Sequence, residues 1–313
     1  MTTFVRDDGR ELEVIPGFRE RVLSYRKNVS PRGNWTDDEY ARAGKKRLSR
    51  NKRLIDNIAA NFGTLRNAEI LEAGCGDGLN VVLLALGGAK RAAGIDLDLR
   101  WSNPDERGES VRRLIDGVIK KTENGISFDH SLKSLPVELF AMDATRMDFP
   151  DRSFDLVLSL SALEHIRPLE ELFAEIERVL KPSGMSYHEI DPFYWIRGCH
   201  KRGVVDIPWA HARLSPQEFH RFVAESEDER TADKRLNRLE TLNRLTIRQW
   251  KNFFEHSPFE IVNWEESASP FAEELLKEHP DITSTLLPAI ESRDLVVYRI
   301  RLWLRKRVDT PRR

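Results

Sequence analysis

Cysteine is scarce: the 313 residues hold two, Cys75 and Cys199. Two thiols make no disulfide framework, their spacing matches no zinc motif, and a reducing compartment, the cytoplasm, is the expected home. Long hydrophobic runs are also missing. Stretches such as "NVVLLALGG" fall far short of a membrane span, and the opening "MTTFVRDDGR" has no apolar signal region. No integral membrane segment and no leader are therefore expected. Nor is there an excess of either charge. Fifty Lys and Arg against 51 Asp and Glu leave a net −1, which argues against a nucleic-acid partner. Repeats and low-complexity blocks are absent. What remains is 40% hydrophobic and 32% charged, the composition of a globular chain with a buried core.

Residues 1–65 read as an N-terminal helical extension. Its main helix starts near Asp37, with Thr36 as N-cap and Glu39 three residues on to complete a capping box. Leu54, Ile58 and Phe62 recur on one face of it, and Gly63 is a plausible stop. From Glu69 onward, short apolar runs alternate with helical ones. "EILEAG", "RAAGIDLD", "VELFAMDA", "FDLVLSLSA" and "MSYHEID" read as strands, and "LNVVLLALGG" and "LEELFAEIERVL" as helices. The turn "KPSG" closes the second of these. Such alternation implies a Rossmann-like, doubly wound α/β fold. "FEIVNWEES" and "DLVVYRIRLWLRK" complete a seven-stranded, mostly parallel sheet within a domain of residues 66–313. Two stretches interrupt the pattern. Residues 100–136 are long for one crossover and suggest a helix at "GESVRRLIDGVIKK". Residues 192–245 form a helical or lid-like insertion after the fifth strand, with a capped helix opened by Ser215, Pro216 and Glu218. The C-terminal strand runs on into a basic tail, read as a solvated strand end.

The turn after the first sheet strand, "EILEAGCGDGLN", carries Gly74, Gly76 and Gly78. A glycine turn between strand and helix lets a ligand approach the backbone and the free N–H groups of the helix start. The dinucleotide fingerprint G-x-G-x-x-G would need its third glycine where Leu79 stands. Instead the spacing is G-x-G-x-G, and Glu72 sits where a negative charge would oppose a pyrophosphate. A cationic ligand without phosphates suits the turn better.

In these residues the sequence resembles the class I S-adenosylmethionine (SAM)-dependent methyltransferases. "EILEAGCGDGLN" looks like their first motif. "GIDLD" looks like the second, with Asp96 twenty residues after Gly76. "FAMDATRMDFPDRSFDLVLSLSALEHI" looks like the third and fourth, and "RVLKPSGMSYHEI" like the approach to the fifth strand. The resemblance covers residues 66–191. It implies SAM as cofactor, with Glu72, Gly74, Cys75 and Gly76 around its amino-acid end. Asp96 would hold the ribose hydroxyls, with Leu97 next to it. Asp143 would take the adenine amino group, with Ala144 beside it, and Ser159 and Leu160, at the end of the fourth strand, would also line the cofactor. Cys75 reads as a small filler and not as a nucleophile.

Methyl transfer to a hydroxyl needs a base, most often His. His165 in "SALEHI", His188 in the fifth strand and His211 in "DIPWAHARL" are the candidates, each with an alternative. His165 can line the cofactor instead. His188 and Glu189 point to opposite faces of a strand, so only one can face the site. His211 can be a helix-entry residue. His130, His220, His256 and His279 read as surface residues. Tyr194, Trp195 and Trp209 either stack on a sugar or planar acceptor or form core beneath the insertion. The stretch "DPFYW…DIPWAHARLSP" resembles bacterial methyltransferases acting on sugars of polysaccharides or glycolipids. His188, Glu189 and Asp191 match no standard metal spacing, so no metal is expected. The expectation is O-methylation of a polar small molecule or glycan. The alternatives are an N- or C-methyltransferase on a metabolite, lipid or protein, a nicotinamide-dependent oxidoreductase, or a non-catalytic SAM-binding module.

Overall fold

The computed structural model describes residues 2–25, 35–120 and 128–307. Two short strands open it, β1 (Thr3–Val5) and β2 (Glu11–Glu13), paired antiparallel, a hairpin within the stretch read as helical. Helix α1 (Phe18–Tyr25) follows, then α2 (Asp37–Asn61), which starts with the expected capping box of Thr36 and Glu39. The strand–helix alternation begins at β3 (Glu69–Ala73), with α3 (Leu79–Leu86) and β4 (Arg91–Asp96). The long polar stretch holds α4 (Glu106–Ile119) and α5 (Phe128–Ser134) before β5 (Val137–Ala141). Strand β6 (Phe154–Leu160), helix α6 (Leu169–Val179) and β7 (Leu180–Ile190) come next. The insertion contributes two single-turn helices, α7 (His200–Gly203) and α8 (Ala210–Arg213), then α9 (Pro216–Ser226) and α10 (Glu229–Glu240). The chain finishes with α11 (Ile247–Glu255), β8 (Phe259–Ala268), α12 (Pro270–Glu278), α13 (Ser292–Val296) and β9 (Val297–Lys306). The basic tail expected at 308–313 lies outside the described residues.

The main sheet has seven strands in the order β5-β4-β3-β6-β7-β9-β8. The five on the β5 side run parallel, and β9 lies antiparallel between β7 and β8. The chain enters at β3 in the middle, steps outward to β4 and β5, then crosses to β6 and β7 on the other side. That reversal opens a crevice between the carboxyl ends of β3 and β6, where doubly wound sheets bind ligands. The "KPSG" segment proves to be an irregularity within β7. The register steps from Phe154–Leu180 to Leu156–Met185, so residues 181–184 loop out of a strand that continues on both sides.

Both faces of the sheet are covered. Phe173, Ile176, Trp250 and Phe254 of α6 and α11 pack on one. Leu54 and Ile58 of α2 and Val81 and Leu84 of α3 pack on the other, with Tyr187 and Trp303. A second apolar core lies outside the sheet. There Phe4, Leu12, Phe18 and Val22 pack with Trp209, Phe219 and Phe222 of the insertion and with Leu275. The Ile15 N–H donates to the Asp206 carbonyl at 2.8 Å, and the Asp7 N–H to Glu218 Oε1 at 2.8 Å. Residues 3–25 are thus tied to the insertion rather than to α2. Among the described residues no helix is long and apolar enough to cross a membrane.

Candidate functional site

The glycine turn lies at the crevice. Gly74 has φ +79°, and a Cβ there would stand 2.4 Å from the Ala162 Cβ, so only glycine lets the loops after β3 and β6 close on each other. Gly76 has φ +59° but faces open space: nothing lies within 4 Å of where its Cβ would be. Close packing at one glycine and room at the next make a cradle. The N–H groups of Gly74 and Cys75 donate to the Ile95 carbonyl at 2.8 and 3.0 Å and pin the turn to the end of β4. Cys75 is buried and its thiol is pushed far up by burial, in keeping with a filler role.

Asp96, at the end of β4, reaches across the turn. Its Oδ2 accepts from the Gly76 N–H at 2.8 Å and its Oδ1 from the Asp98 N–H at 3.0 Å. Beside it Leu97 is 77% exposed, an apolar side chain with no packing partner, as a planar base would require. Asp143, after β5, accepts at one oxygen from the Thr145 N–H and hydroxyl, both at 2.8 Å, while Ala144 is buried. Its Oδ2 makes no hydrogen bond among the described residues. Glu72 is 1% exposed. Its Oε1 accepts from Asn80 Nδ2 at 3.0 Å and its Oε2 has no partner. Burial, and then the nearby carboxylates of Asp77 and Asp96, push its pKa up to about 8 against the pull of Asn80 and Arg47. An orphaned buried carboxyl oxygen at the end of β3 is a seat for a cationic group. With the open side of Gly76 and the bare Leu97, it fits the ammonium, ribose and adenine of SAM. Ser159 and Leu160 end β6 deeper in the sheet, where Ser159 is fully buried and its hydroxyl has no partner.

The three histidines part company. His165 follows β6, is exposed, and stacks face to face on His200 of α7, with centroids 5.1 Å apart and planes 8° apart. Burial of that face, then His200, Arg238 and Arg100, lower its pKa to about 4. His188 is fully buried against Phe173 on the α6 face, and neither ring nitrogen has a partner. Burial alone takes it to about 3. The strand does turn its neighbour Glu189 the other way, toward the Tyr187 hydroxyl at 2.9 Å. His211 sits in the second core, edge-on to Phe193, with Nε2 3.3 Å from the Tyr194 carbonyl. Trp209 joins that core and bonds the Leu295 carbonyl through its indole at 3.2 Å. Only His165 of the three therefore meets the crevice. His188 and His211 are shut in apolar surroundings.

Two groups escaped sequence reasoning. Glu164, next to His165, is 3% exposed, has a partnerless Oε2, and is pushed well above the carboxylate range by burial and by Asp191. Arg299 of β9 pairs with Glu189 and, at 2.9 Å, with Asp191, and also donates to the Ser161 hydroxyl at 3.2 Å. Alternation along β9 puts Arg299 and Arg301 on one face. No sequence signal links them to an acid 110 positions earlier. A cavity of about 280 Å³ between α11 and α13, lined by Ile247, Lys251 and Asp294, shares no residue with these loops.

Residues 71–187 match the family described as "Methyltransferase domain". A ubiquinone biosynthesis O-methyltransferase of Rickettsia bellii is 27% identical over 133 residues, 42% of this chain and 46% of that protein. A sterol 24-C-methyltransferase of Neurospora crassa is 27% identical over 127 residues, 41% of this chain and 28% of that protein. The chain thus spans less than half the length of these curated relatives. A SAM-dependent methyltransferase structure from Mesorhizobium loti is also similar, at 15% identity and a TM-score of 0.42, over 77% of this chain and 92% of that one. The matched segment contains the glycine turn, Asp96, Asp143 and His165. Residues 71–187 thus carry the features of a SAM-dependent methyltransferase domain.

Proposed function

We propose that the chain transfers the methyl group of SAM to a hydroxyl oxygen of a polar small molecule or glycan. SAM, when bound, supplies an activated methyl on a sulfonium, so the chain's main task is to hold donor and acceptor in line. Glu72 and the Gly74–Gly78 turn would seat the amino-acid end, Asp96 the ribose, and Leu97 and Asp143 the adenine. His165 would take the hydroxyl proton on its free ring edge. The observation that carries this reading is that His165 alone of the three candidate bases is exposed, next to a loop in contact with the cofactor turn. Its depressed pKa keeps it neutral, and so able to accept a proton, at neutral pH. The two buried free cysteines fit the cytoplasm.

The test is turnover of His165→Ala against SAM affinity. A base variant loses about 10²- to 10⁴-fold in rate while SAM affinity holds. Full activity in His165→Ala would remove it as base. A carbon acceptor is the second reading, favoured by the name of the Neurospora relative. An acceptor screen read by mass separates the two through the position of the new methyl.

A further inference from the structure

We propose, on the reading of His165 as the base, that His200 is its positioning residue: the His200 ring, stacked on that of His165, fixes the plane of the base and leaves one ring edge free for the acceptor. A general base is ordinarily oriented by a third group that bonds its other side. His165 has no such group. Among the described residues no carboxylate, carbonyl or hydroxyl bonds either of its ring nitrogens, and its one ring contact is the stack on His200. Planes 8° apart with centroids 5.1 Å apart describe an offset stack, an arrangement that flat rings prefer. Without it an exposed imidazole would turn among several rotamers, and its lone pair would meet the acceptor hydroxyl only part of the time.

The backbone beneath both rings is held in place. Asn243 pins the chain on either side of His165. Its Nδ2 donates to the Leu163 and Ile166 carbonyls at 2.6 and 2.8 Å, and its N–H to the Glu164 carbonyl at 2.8 Å. Ser161 opens that loop at φ +55°. Its N–H donates to the Glu189 carbonyl at 2.8 Å, and its hydroxyl accepts from Arg299 at 3.2 Å. Across the stack His200 stands at φ +57°, with its N–H on the Arg197 carbonyl at 3.0 Å. A Cβ at Gly203 would lie 2.6 Å from Leu239 Cδ2, so α7 sits tight against α10. Arg235 of α10 bonds the Arg202 and Val204 carbonyls at 3.2 Å each. Left-handed backbone under a side chain is costly and persists where the surroundings over-determine it. Here it occurs on both sides of one ring pair. The His200 ring also carries an orphan, since its Nε2 is buried with no partner. Buried ring nitrogens are ordinarily paired. What this ring offers its neighbour is therefore a face, not a hydrogen bond.

The test compares two variants of the full chain. His200→Asn removes the ring and tolerates the left-handed backbone, and His200→Phe keeps a flat face without nitrogens. Proton NMR of the cofactor-free protein reads the stack directly, with the His165 ring signals identified as those lost in His165→Ala. Expected are signals shifted by the neighbouring ring in the wild type and in His200→Phe, and unshifted, rotamer-averaged signals in His200→Asn. Turnover is read with tritiated-methyl SAM on a panel of simple glycosides and phenols. In His200→Asn kcat should fall about ten- to a hundredfold while acceptor KM and SAM affinity hold, and His200→Phe should recover most of that loss. Melting curves confirm the folding of each variant. An unshifted His165 signal in the wild type overturns the proposal, and so does an unchanged kcat in His200→Asn. So does a His200→Phe variant as slow as His200→Asn, which would give the ring nitrogens a chemical role, or a loss confined to SAM affinity or to KM. Full activity in His165→Ala, or a wild type that methylates nothing on the panel, overturns the base reading and this proposal with it. A slow His165→Ala beside a fully active His200→Asn overturns the proposal alone.

Discussion

Glu72 carries opposed demands. Its folded pKa of about 8 stands above an unfolded value near 4.5. Between these values the native chain holds a proton that the unfolded chain has released. Stability therefore falls as pH rises from about 4.5 to 8, by about 1.4 kcal/mol per pH unit for one such group. Glu72→Gln should remove that slope, raise the melting temperature of the cofactor-free protein at pH 7, and weaken SAM binding. Thermal melts across pH, paired with SAM titrations, check both effects. The buried histidines act in the opposite sense. His188 and His211 sit at about 3 and about 4 when folded, against about 6.5 unfolded. The unfolded chain binds their protons first, so stability is lost as pH falls below about 6.5. His188→Leu should flatten this acid limb and keep turnover, since the side chain meets only core. A large loss of rate in that variant would return His188 to the site. That His188 and Glu189 point oppositely was legible from strand periodicity. Which of the two meets the crevice was not, because that depends on where α6 packs.

At the scale of elements, the strands of the main sheet and their order along the chain could be read from alternating apolar runs, the β1–β2 hairpin could not, and three capping boxes sit where their sequences place them. The proposed cofactor half of the site lies in the same motifs, since its residues follow strand ends at short sequence distances. The acceptor half was not legible in that way. Glu164, Asp191, His200 and Arg299 come from four separate segments, and only tertiary packing brings them near one another. The glycine turn itself separates packing from binding. Gly74→Ala forces a side chain into Ala162 at positive φ, so the cofactor-free melting temperature should drop markedly. Gly76→Ala meets no neighbour, so its stability cost is the left-handed strain of about 1–2 kcal/mol. Its main effect should be on SAM affinity, because the new methyl enters the cradle. Calorimetry with SAM and melts without it tell the two apart. Equal effects in both variants would contradict the division.

Taken whole, the molecule packs apolar side chains in the sheet layers and, apart from them, in a core where residues 3–25 meet the insertion. Deleting residues 2–25 removes Phe4, Leu12, Phe18 and Val22 from the second core alone. The expected result is an insertion cut readily by protease between α9 and α10, with acceptor turnover lost and SAM binding largely kept. Limited proteolysis and a SAM titration of the truncated chain check it, and an unchanged digestion pattern would count against the shared core.

Strand β9 gives the molecule an order of assembly. It is the last of the described strands in sequence, yet it lies between β7 and β8, so both wait for it. A ribosome that has released the chain through β7 has already delivered the glycine turn, Asp96, Asp143 and His165. Glu189 and Asp191 are then still without Arg299, and β7 has an open edge. The nascent chain can thus assemble the loops around the glycine turn before Glu189 and Asp191 gain Arg299, whose pairing with both acids waits for β9.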